Sequence, residues 1–375
     1  MRVEPAVPVE TLAVIRAPLE ASGAERADAP LLQPLNLLLD LAGEAMRARL
    51  FVVQAEGGIE SCLRPDFTVA IARQHIESGR AAGLYWYQGA AFRASSGTER
   101  PEEFVQLGLE MFSPGGGSIE AADAEIAALA WKAADAGGRK DLSLRLGDVA
   151  LFGAFIESLE LPATLAGRLK RVAGRPRLLW AELARTGQAT SNGGTLAGLL
   201  AGLSQPQAAA LLEEVWALAG VEPVGGRGPA EIAARLVRKA EAASAPSLTE
   251  GQAEAIRAFM AIDDAPAYAF ARMRQLAGSN DAALKTALAG WEARLLELVR
   301  TAPADRLRFT PALGHAFDYY DGVTFEVRSD ALGPERAVAV GGRYDGLLAQ
   351  LGGAGDARAV GCMVRPWRAW AGGEA

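Results

Sequence analysis

The spacing of hydrophobic and polar residues predicts helices and strands in mixed order over the first part of the chain. Apolar residues recur at helical spacing from Val9 to Leu19, and the Leu-rich stretch Leu31–Leu50 is typical of a strand followed by a helix. A further helix is predicted over Thr68–Ser78. Short β-prone runs predict strands over Phe51–Gln54, Leu84–Ala91 and Glu110–Phe112. This mixed order favours an α+β fold over a doubly wound sheet.

The middle of the chain has a different pattern from its two ends. From Ile119 to about Val299, Ala and Leu dominate at helical spacing, with one exception, Leu142–Arg145, which fits an extra strand of the first region's sheet. Strand signals return over Leu307–Pro311, Tyr319–Arg328 and Ala337–Val340. We therefore expect residues 1–155 and 300–375 to form one sheet-based core, and residues 156–299 to be a mainly helical insertion.

The composition is that of a globular protein with an acidic surface. Half of the 375 residues are hydrophobic, and the formal net charge is -7. Lys and Arg are scattered among more numerous Asp and Glu, whereas nucleic-acid-binding proteins gather basic residues into a patch or stripe. The N-terminus lacks a secretory signal, and no run of roughly eighteen uncharged apolar residues occurs. We expect a cytoplasmic protein that binds neither tRNA nor a membrane.

Cysteine and histidine are too sparse to predict a metal site. Cys62 and Cys362 lie far apart among apolar neighbours, and His75 and His315 are the only histidines. No metal-ligand cluster can be assembled from this spacing, so we expect two buried, reduced thiols and neither a metal nor a cofactor.

Two segments of the N-terminal region carry polar side chains that could form a binding site. The proline of Leu63–Thr68 restricts the residue before it to an extended conformation, and Asp66 and Thr68 project from the start of a helix. On the predicted return strand Glu103–Glu110, Gln106 and Glu110 share one face because side chains alternate with period two. Such a pair can bind an amino group, although Asp66 alone is also typical of a helix cap.

Two further segments lie near the C-terminus. The run Phe317–Val327 contains Asp-Tyr-Tyr-Asp-Gly, a hairpin signal that presents Tyr319 and Tyr320 before the turn. The run Val340–Leu347 contains the sequence Gly-Gly-Arg-Tyr, whose last residue is Tyr344. The glycines of this run permit close approach of the backbone. No Gly-Lys-Ser/Thr follows, so it is not a phosphate loop. Each segment alone is also typical of a turn, but the four in this order are specific.

The order of these segments resembles that of histidyl-tRNA synthetase, a class II aminoacyl-tRNA synthetase. The resemblance covers residues 1–155 and 300–375 and implies an antiparallel sheet flanked by helices, with a dimer built through an early strand and helix, here Pro34 and Leu39–Leu50. Carboxylates would bind an ammonium group and an imidazole N–H, and tyrosine rings would flank the imidazole. The ligand-binding positions that the resemblance implies are Asp66, Thr68, Arg93, Gln106, Glu110, Tyr319, Tyr320 and Tyr344.

The departures from the family pattern fall on its catalytic machinery. His315 replaces the family's catalytic Arg and is a weaker, only partly charged donor near neutral pH. The acid of the family's Phe-Arg-x-Glu motif falls at Ser95, and its Gly-x-Glu-Arg motif becomes Arg365–Arg368, with Trp367 at an acidic position. Phe67 replaces a family Gly. Adenylate formation needs cationic groups where charge develops at the α-phosphate, so we predict that ATP is not activated and that no residue is catalytic.

The resemblance extends to a paralogue class without synthetase activity. A synthetase continues into an anticodon-binding domain, which we do not expect here because the chain stops soon after Arg368. A histidine pocket without activation chemistry matches the regulatory subunits of ATP phosphoribosyltransferase. This implies a homodimer within a hetero-oligomer that includes a short catalytic subunit, which joins ATP to phosphoribosyl pyrophosphate in the first step of histidine synthesis. Histidine is the implied effector.

Two other functions fit the same residues. One is a truncated class II synthetase-like enzyme that activates histidine or another amino acid through Arg93 and Arg368, and the other is a scaffold with a relic pocket. Histidine binding separates the scaffold from the regulator, and histidine-dependent pyrophosphate exchange into ATP separates the enzyme from both. The stoichiometry stays open, as does the choice between this pocket and a subunit interface for the inhibitory histidine.

Overall fold

The computed structural model describes residues 1–55, 57, 58, 60–95, 100–173, 176–184, 207, 210, 211, 214, 247–313 and 319–373. Contacts between residues divide the chain into two compact units. The larger unit combines Met1–Ser158 with Ala258–Ala375, and the smaller unit is Leu159–Arg257. The cavity and the charged clusters described below all belong to the larger unit.

Eleven strands form two sheets within the described residues. In chain order they are β1 Glu25–Arg26, β2 Leu32–Pro34, β3 Val52–Gln54, β4 Glu60–Leu63, β5 Gly83–Phe92, β6 Glu103–Ser113, β7 Leu142–Asp148, β8 Leu307–Phe309, β9 Val323–Ser329, β10 Ala339–Arg343 and β11 Arg358–Val364. The large sheet has the order β1-β5-β6-β11-β10-β9-β7-β8, and the small sheet has the order β2-β4-β3. The pairs β1 with β5 and β7 with β8 are parallel, and the other pairs are antiparallel.

Twelve α-helices surround these strands in the described part of the chain. They are α1 Val9–Glu20, α2 Leu35–Ala42, α3 Thr68–Glu77, α4 Ile119–Asp135, α5 Val149–Ser158, α6 Ala163–Val172, α7 Pro176–Leu183, α8 Glu250–Met260, α9 Pro266–Leu276, α10 Ala282–Leu298, α11 Asp345–Gln350 and α12 Pro366–Ala369. No helix among the described residues is both long and apolar enough to cross a membrane.

The α+β fold class predicted from the sequence is confirmed. Helix α3 and strand β5 lie within a residue or two of their predicted bounds, and Leu142–Arg145 is part of β7, which pairs with β9 in the large sheet. Strand β6 combines the predicted return strand Glu103–Glu110 with the predicted Glu110–Phe112 and extends one residue further, to Ser113. The predicted strand Tyr319–Arg328 begins only at Val323, because the two tyrosines belong to the turn before it.

The Leu-rich stretch after residue 30 forms a strand and a helix, as predicted, but the helix is shorter. Helix α2 ends at Ala42, and Gly43 follows with φ of 80°, in the left-handed region that favours glycine. A 3-10 helix, Glu44–Arg49, continues from there. The local conformation of Gly43 therefore divides a stretch whose apolar pattern is continuous.

Helix α4 packs against strands β10 and β11 and forms much of the core on that side of the sheet. Its N-terminus is capped by Ser118, whose side chain accepts a hydrogen bond of 3.1 Å from the backbone N–H of Ala121. Small and large apolar side chains recur along its buried face, among them Ile126, Ala127, Ala130, Trp131 and Ala134.

The helices α9 and α10 belong to the larger unit, although the sequence places them in the helical insertion 156–299. Trp291 of α10 donates a hydrogen bond of 2.9 Å to Asp148 at the start of α5, and Arg294 of α10 pairs with Asp123 of α4. The compact unit that lies outside the sheet-based core is therefore Leu159–Arg257. Helical periodicity alone cannot distinguish a helix that packs on the core from one in an insertion.

Candidate functional site

A cavity of about 600 Å³ lies in the larger unit, over the large sheet. Side chains and backbone of β5, β6, β9, β10 and β11 contribute to its wall, together with the start of α3. Five of the eight predicted ligand-binding residues line it: Asp66, Thr68, Arg93, Tyr319 and Tyr320. The other three, Gln106, Glu110 and Tyr344, are buried side chains, and two of them bond directly to each other.

Glu110 is the centre of a buried hydrogen-bond cluster. The hydroxyl of Thr68 donates to Glu110 Oε1 at 2.7 Å, and the phenol of Tyr344 donates to Oε2. The carboxyl is fully buried, and Gly361 of β11 lies opposite it in the sheet. A Cβ at Gly361 would stand 1.6 Å from Oε2, so only glycine leaves room for this carboxyl. The cluster joins three segments that are distant in sequence.

Burial raises the pKa of Glu110 to about 8, and the hydrogen bonds from Tyr344 and Thr68 act in the opposite direction. The carboxyl is therefore mostly protonated near neutral pH. A cationic group placed beside it would favour the charged form, because an opposite charge nearby stabilises a carboxylate. Glu110 is thus suited to bind an ammonium group with release of a proton.

Gln106 is the most unusual polar residue of the site. It lies on β6, two alternations before Glu110 and on the same face of the strand. Its side chain is fully buried, and neither its amide oxygen nor its amide nitrogen has a hydrogen-bond partner among the described residues. An unpaired buried polar group costs about 1–3 kcal/mol. A ligand that offers both a donor and an acceptor would remove this cost.

Three tyrosine rings pack together next to Glu110. The centroid of Tyr319 lies 4.8 Å from that of Tyr320 and 5.8 Å from that of Tyr344, and the second contact is edge-to-face. Tyr320 and Tyr344 are 6.3 Å apart, also edge-to-face. Burial raises the pKa of each phenol above its ordinary value, so all three are neutral. They provide an aromatic wall with hydroxyl groups, which suits a flat, polar ring.

Asp66 and Arg93 are neighbouring ionisable residues of the same wall. Burial raises the pKa of Asp66, while Arg93 and the backbone N–H groups of Val69 and Thr68 favour its charged form. Arg93 donates from Nε to the carbonyl of Pro65 at 2.9 Å. Asp66 lies two residues before the first residue of α3, where Phe67 occupies the N-cap position, and it also lines the cavity.

Phe67, which replaces a family glycine, fills space beside the pocket. Its ring is buried and stacks on Tyr87 of β5, with centroids 4.4 Å apart and planes inclined by 11°. The guanidinium of Arg64 lies 4.0 Å from the ring centroid of Phe67. The substitution is therefore integrated into the core rather than projecting into the cavity, whose wall does not include it.

The cavity wall is richer in arginine than the sequence analysis predicted. Its lining includes six arginines and three acidic residues: Arg49, Arg93, Arg100, Arg328, Arg365, Arg368, Asp66, Glu326 and Glu335. Two of the arginines pair with acids of the wall, Arg328 with Glu326 and Arg100 with Glu335 at 3.5 Å. No local pattern identified Arg49, Arg100 or Arg328, because these residues meet only in the folded chain.

Arg365, one of the departures from the family pattern, has a defined structural role. Its guanidinium is buried, pairs with Glu4, and lies 3.6 Å from the ring centroid of Phe104. Burial and the neighbouring Arg368 lower the pKa of Arg365 to about 9, although Glu4 opposes this shift. Phe104 also lines the cavity, so Arg365 covers one aromatic face of the cavity wall. Glu4 was not predicted, since its partner lies 361 residues away.

The other residues that depart from the family pattern lie in different parts of the chain's structure. Ser95 lines the cavity, and Trp367 packs against Trp370 with ring centroids 5.5 Å apart. His315 lies outside the described residues. Cys62 and Cys362 are buried and reduced, as predicted. No group of three or more potential metal ligands occurs among the residues that the structure describes.

Comparison with known proteins shows what this fold and sequence resemble. The family model described as histidyl-tRNA synthetase matches residues 10–220 and 223–366. The ATP phosphoribosyltransferase regulatory subunit of Brucella anthropi is 33% identical over 357 residues, which cover 93% of each chain. The corresponding protein of Brucella ovis is 33% identical over 344 residues, which cover 90% of each chain.

Solved structures show the same fold at lower identity. An ATP phosphoribosyltransferase regulatory subunit/histidyl-tRNA synthetase from Bacillus halodurans has a TM-score of 0.64 and 21% identity, with coverage of 97% of this chain and 80% of that one. The histidyl-tRNA synthetase of Nostoc has a TM-score of 0.59 and 16% identity, with coverage of 96% and 70%. These likenesses confirm the predicted class II synthetase-like fold.

Proposed function

Because the chain belongs to the family of ATP phosphoribosyltransferase regulatory subunits, within the histidyl-tRNA synthetase fold, we propose that it is the non-catalytic subunit of such a complex. In this role it activates a short catalytic subunit in the first step of histidine biosynthesis and mediates inhibition by histidine. The expected compartment is the cytoplasm, where ATP is available to the catalytic subunit.

The observation that supports histidine as the effector is the buried pair of Gln106 and Glu110 on one face of β6. Glu110 provides a carboxyl for the ammonium group of an amino acid, and Gln106 has an amide with both hydrogen-bonding atoms unsatisfied among the described residues. The three-tyrosine wall beside them suits an imidazole ring. We propose that histidine binds with its amino group toward β6 and its ring toward the tyrosines.

The replaced residues around the cavity support the non-catalytic part of the proposal. In a synthetase, cationic groups stabilise charge that develops on ATP. The arginine that this chain adds at the family's glycine position, Arg365, is neutralised by Glu4 and covers the ring of Phe104, so it does not substitute for the catalytic arginine that His315 replaces. Ser95 stands in the cavity wall where the family has an acid. We therefore propose that this cavity retains amino-acid binding and does not activate ATP.

The small sheet supports a homodimer. Its outer strand β3 is exposed along its whole length, and the outer strand β2 exposes Leu32 at 51% of its surface. Edge strands with unpaired backbone groups and apolar side chains are suited to pair with a second chain. Symmetric dimers are the commonest oligomers. We propose that two copies associate through this sheet, close to Pro34 and the 3-10 helix Glu44–Arg49.

Reconstitution tests the proposed function directly. The chain is mixed with a purified short-form ATP phosphoribosyltransferase subunit, and formation of phosphoribosyl-ATP is followed with and without histidine. We expect activation by the chain and histidine inhibition of the complex. A second assay measures histidine-dependent exchange of pyrophosphate into ATP by the isolated chain, for which we expect no signal. Strong exchange, or a catalytic subunit indifferent to this chain, would contradict the proposal.

A further inference from the structure

A second buried cluster of charges adjoins the pocket and does not contribute to its wall. Asp123 of α4 is 1% exposed, and each of its oxygens accepts from a different arginine. Arg343 of β10 donates to Oδ1 from Nε at 2.9 Å and from Nη2 at 2.6 Å. Arg294 of α10 donates to Oδ2 from Nε and from Nη2, both at 2.8 Å. One buried carboxylate thus holds two guanidinium groups.

Arg343 connects this cluster to both segments that carry the pocket tyrosines. Its Nη1 donates to Asp345 at 2.9 Å, and Tyr344 is the residue between these two. Its backbone carbonyl accepts a hydrogen bond of 3.1 Å from the N–H of Asp321, which follows Tyr320. The guanidinium of Arg343 therefore holds Asp345, on the far side of Tyr344, and the backbone of the same residue holds the chain immediately after Tyr320.

The same segments are linked a second time through Asp321. Its carboxylate accepts from the backbone N–H of Asp345 at 3.2 Å and from that of Gly346. Asp345 in turn accepts from the N–H of Ala359, in the strand that faces Glu110. These bonds hold the turn with Tyr320 against the start of α11. The backbone of Arg343 is held in the sheet opposite Val360 of β11, and Asp123 holds its guanidinium.

We propose that Asp123 is a positioning residue of the pocket, which holds Tyr344 against Glu110 and Tyr320 in the tyrosine wall through Arg343, and so sets ligand affinity without contacting the ligand. This inference rests on the proposed histidine site. It assigns a role to Arg294 as well, because the second guanidinium on Asp123 comes from α10, outside the pocket. A shift of α10 would then reach Glu110 through Asp123, Arg343 and Tyr344.

The test uses Asp123→Asn, which keeps the size of the side chain but cannot neutralise two guanidinium groups. The matched control is Asp263→Asn. Asp263 is also a carboxylate between two arginines, with Arg145 at 2.5 Å and Arg308 at 3.2 Å, but its cluster does not include a pocket residue. Both variants remove a carboxylate that bridges two arginines, Asp123 with 1% and Asp263 with 38% of its side chain exposed, so a stability measurement on each accompanies the binding assay. Only Asp123 adjoins the pocket.

Two readouts distinguish positioning from a general structural role. Calorimetry should show histidine binding at least tenfold weaker in Asp123→Asn and unchanged in Asp263→Asn. Infrared titration of the ligand-free protein, with Glu110→Gln to identify the band, should show the Glu110 carboxyl ionising at higher pH in Asp123→Asn. The direction follows because the hydrogen bond from Tyr344 lowers the pKa of Glu110, and a displaced tyrosine weakens that bond.

The outcomes separate this inference from the proposed function. If wild type does not bind histidine, the proposed effector is wrong, and the Glu110 titration still decides the role of Asp123. If Asp123→Asn does not fold, Arg343→Lys replaces it, because a lysine keeps the charge but cannot bridge Asp123 and Asp345 as a guanidinium does. A folded variant with an unchanged Glu110 titration, or with wild-type affinity for histidine, overturns the positioning role.

Discussion

Tyr344 donates its phenolic hydrogen to Glu110, and the two residues lie 234 positions apart in the chain. The bond joins the segment after β10 to the centre of β6, where both residues are almost completely buried. A fully buried carboxyl that relies on hydroxyl donors has few ways to stabilise a charge. Its ionisation is therefore sensitive to any cation that enters the cavity beside it.

Replacing Glu110 by Gln is the most direct test of the pocket. The change keeps the size of the side chain and removes the charge that would pair with an ammonium group. Hydrogen bonds to charged groups contribute about 1.5–3 kcal/mol, so histidine affinity should fall by about tenfold to a hundredfold. Calorimetry on the purified chain measures this affinity. Inhibition curves on the reconstituted complex should shift in parallel, to higher histidine concentrations.

The control for this variant is Glu335→Gln, in the same cavity wall. Glu335 is 79% exposed in its side chain and pairs only weakly with Arg100, at 3.5 Å. We expect it to bind histidine like the wild type, because an exposed charge contributes little. If Glu110→Gln also binds and is inhibited like the wild type, the inhibitory site lies elsewhere, at the junction with the catalytic subunit.

Histidine binding should depend on pH through Glu110. Burial raises the pKa of this carboxyl to about 8, and an ammonium group beside it would lower that pKa. Binding therefore releases protons between pH 7 and 8, and affinity should rise over this range. Calorimetry in phosphate and in Tris, whose ionisation heats differ, counts the protons. Equal observed enthalpies in the two buffers would rule out the coupling, and Glu110→Gln should remove it.

The Glu110 carboxyl also makes the stability of the fold depend on pH. Stability should fall as pH rises, whereas histidine affinity should increase. The folded-state pKa of Glu110 is raised above its value of 4.5 in an unfolded chain, so folding favours the protonated form. The contribution of protonated Glu110 to the free energy of unfolding is fully present below pH 4.5 and is lost as pH rises through about 8. The ligand-free wild type should therefore lose stability between pH 5 and 8 to a greater extent than Glu110→Gln. Denaturant unfolding at several pH values measures the difference.

Local pattern was sufficient to predict part of this site. Alternation along β6 placed Gln106 and Glu110 on one face, and the start of α3 brought Asp66 and Thr68 into the cavity wall. Both are consequences of short-range geometry, with periods of two residues in a strand and of one turn in a helix. Their role in binding histidine stays a prediction.

Local pattern could not predict which residues that are distant in sequence contact each other in the folded chain. Nothing around Arg365 indicates that Glu4, at the other end of the chain, neutralises it. Likewise, the periodicity of α10 indicates a helix but not that its Arg294 meets Asp123. These pairs depend on the packing of whole elements against each other, which a repeat of two or 3.6 residues does not encode.

Breaking the pair of Glu4 and Arg365 should destabilise the protein strongly. Both side chains are nearly inaccessible, at 4% and 5% exposed, and Glu4→Gln would leave a buried guanidinium without its counter-charge. Removal of one partner from a buried pair costs about 3–5 kcal/mol. Denaturant unfolding measures the loss. Glu25→Gln is the control, because Glu25 pairs with Arg80 at 2.7 Å at the surface, with side chains 60% and 48% exposed, and this variant should lose much less stability.

The small sheet should control the oligomeric state. Leu32 on β2 is half exposed although it is apolar, and β3 on the other side of the sheet is exposed at every residue. If a second copy covers this surface, Leu32→Glu would bury a charge in the interface and convert the dimer to monomers at micromolar concentration. Leu296→Glu on α10 is the matched control, since Leu296 is 68% exposed and lies outside this sheet. Sedimentation velocity distinguishes the two masses. A Leu32→Glu protein that still sediments as a dimer, or a wild type that is monomeric, would show that the copies do not associate through this sheet.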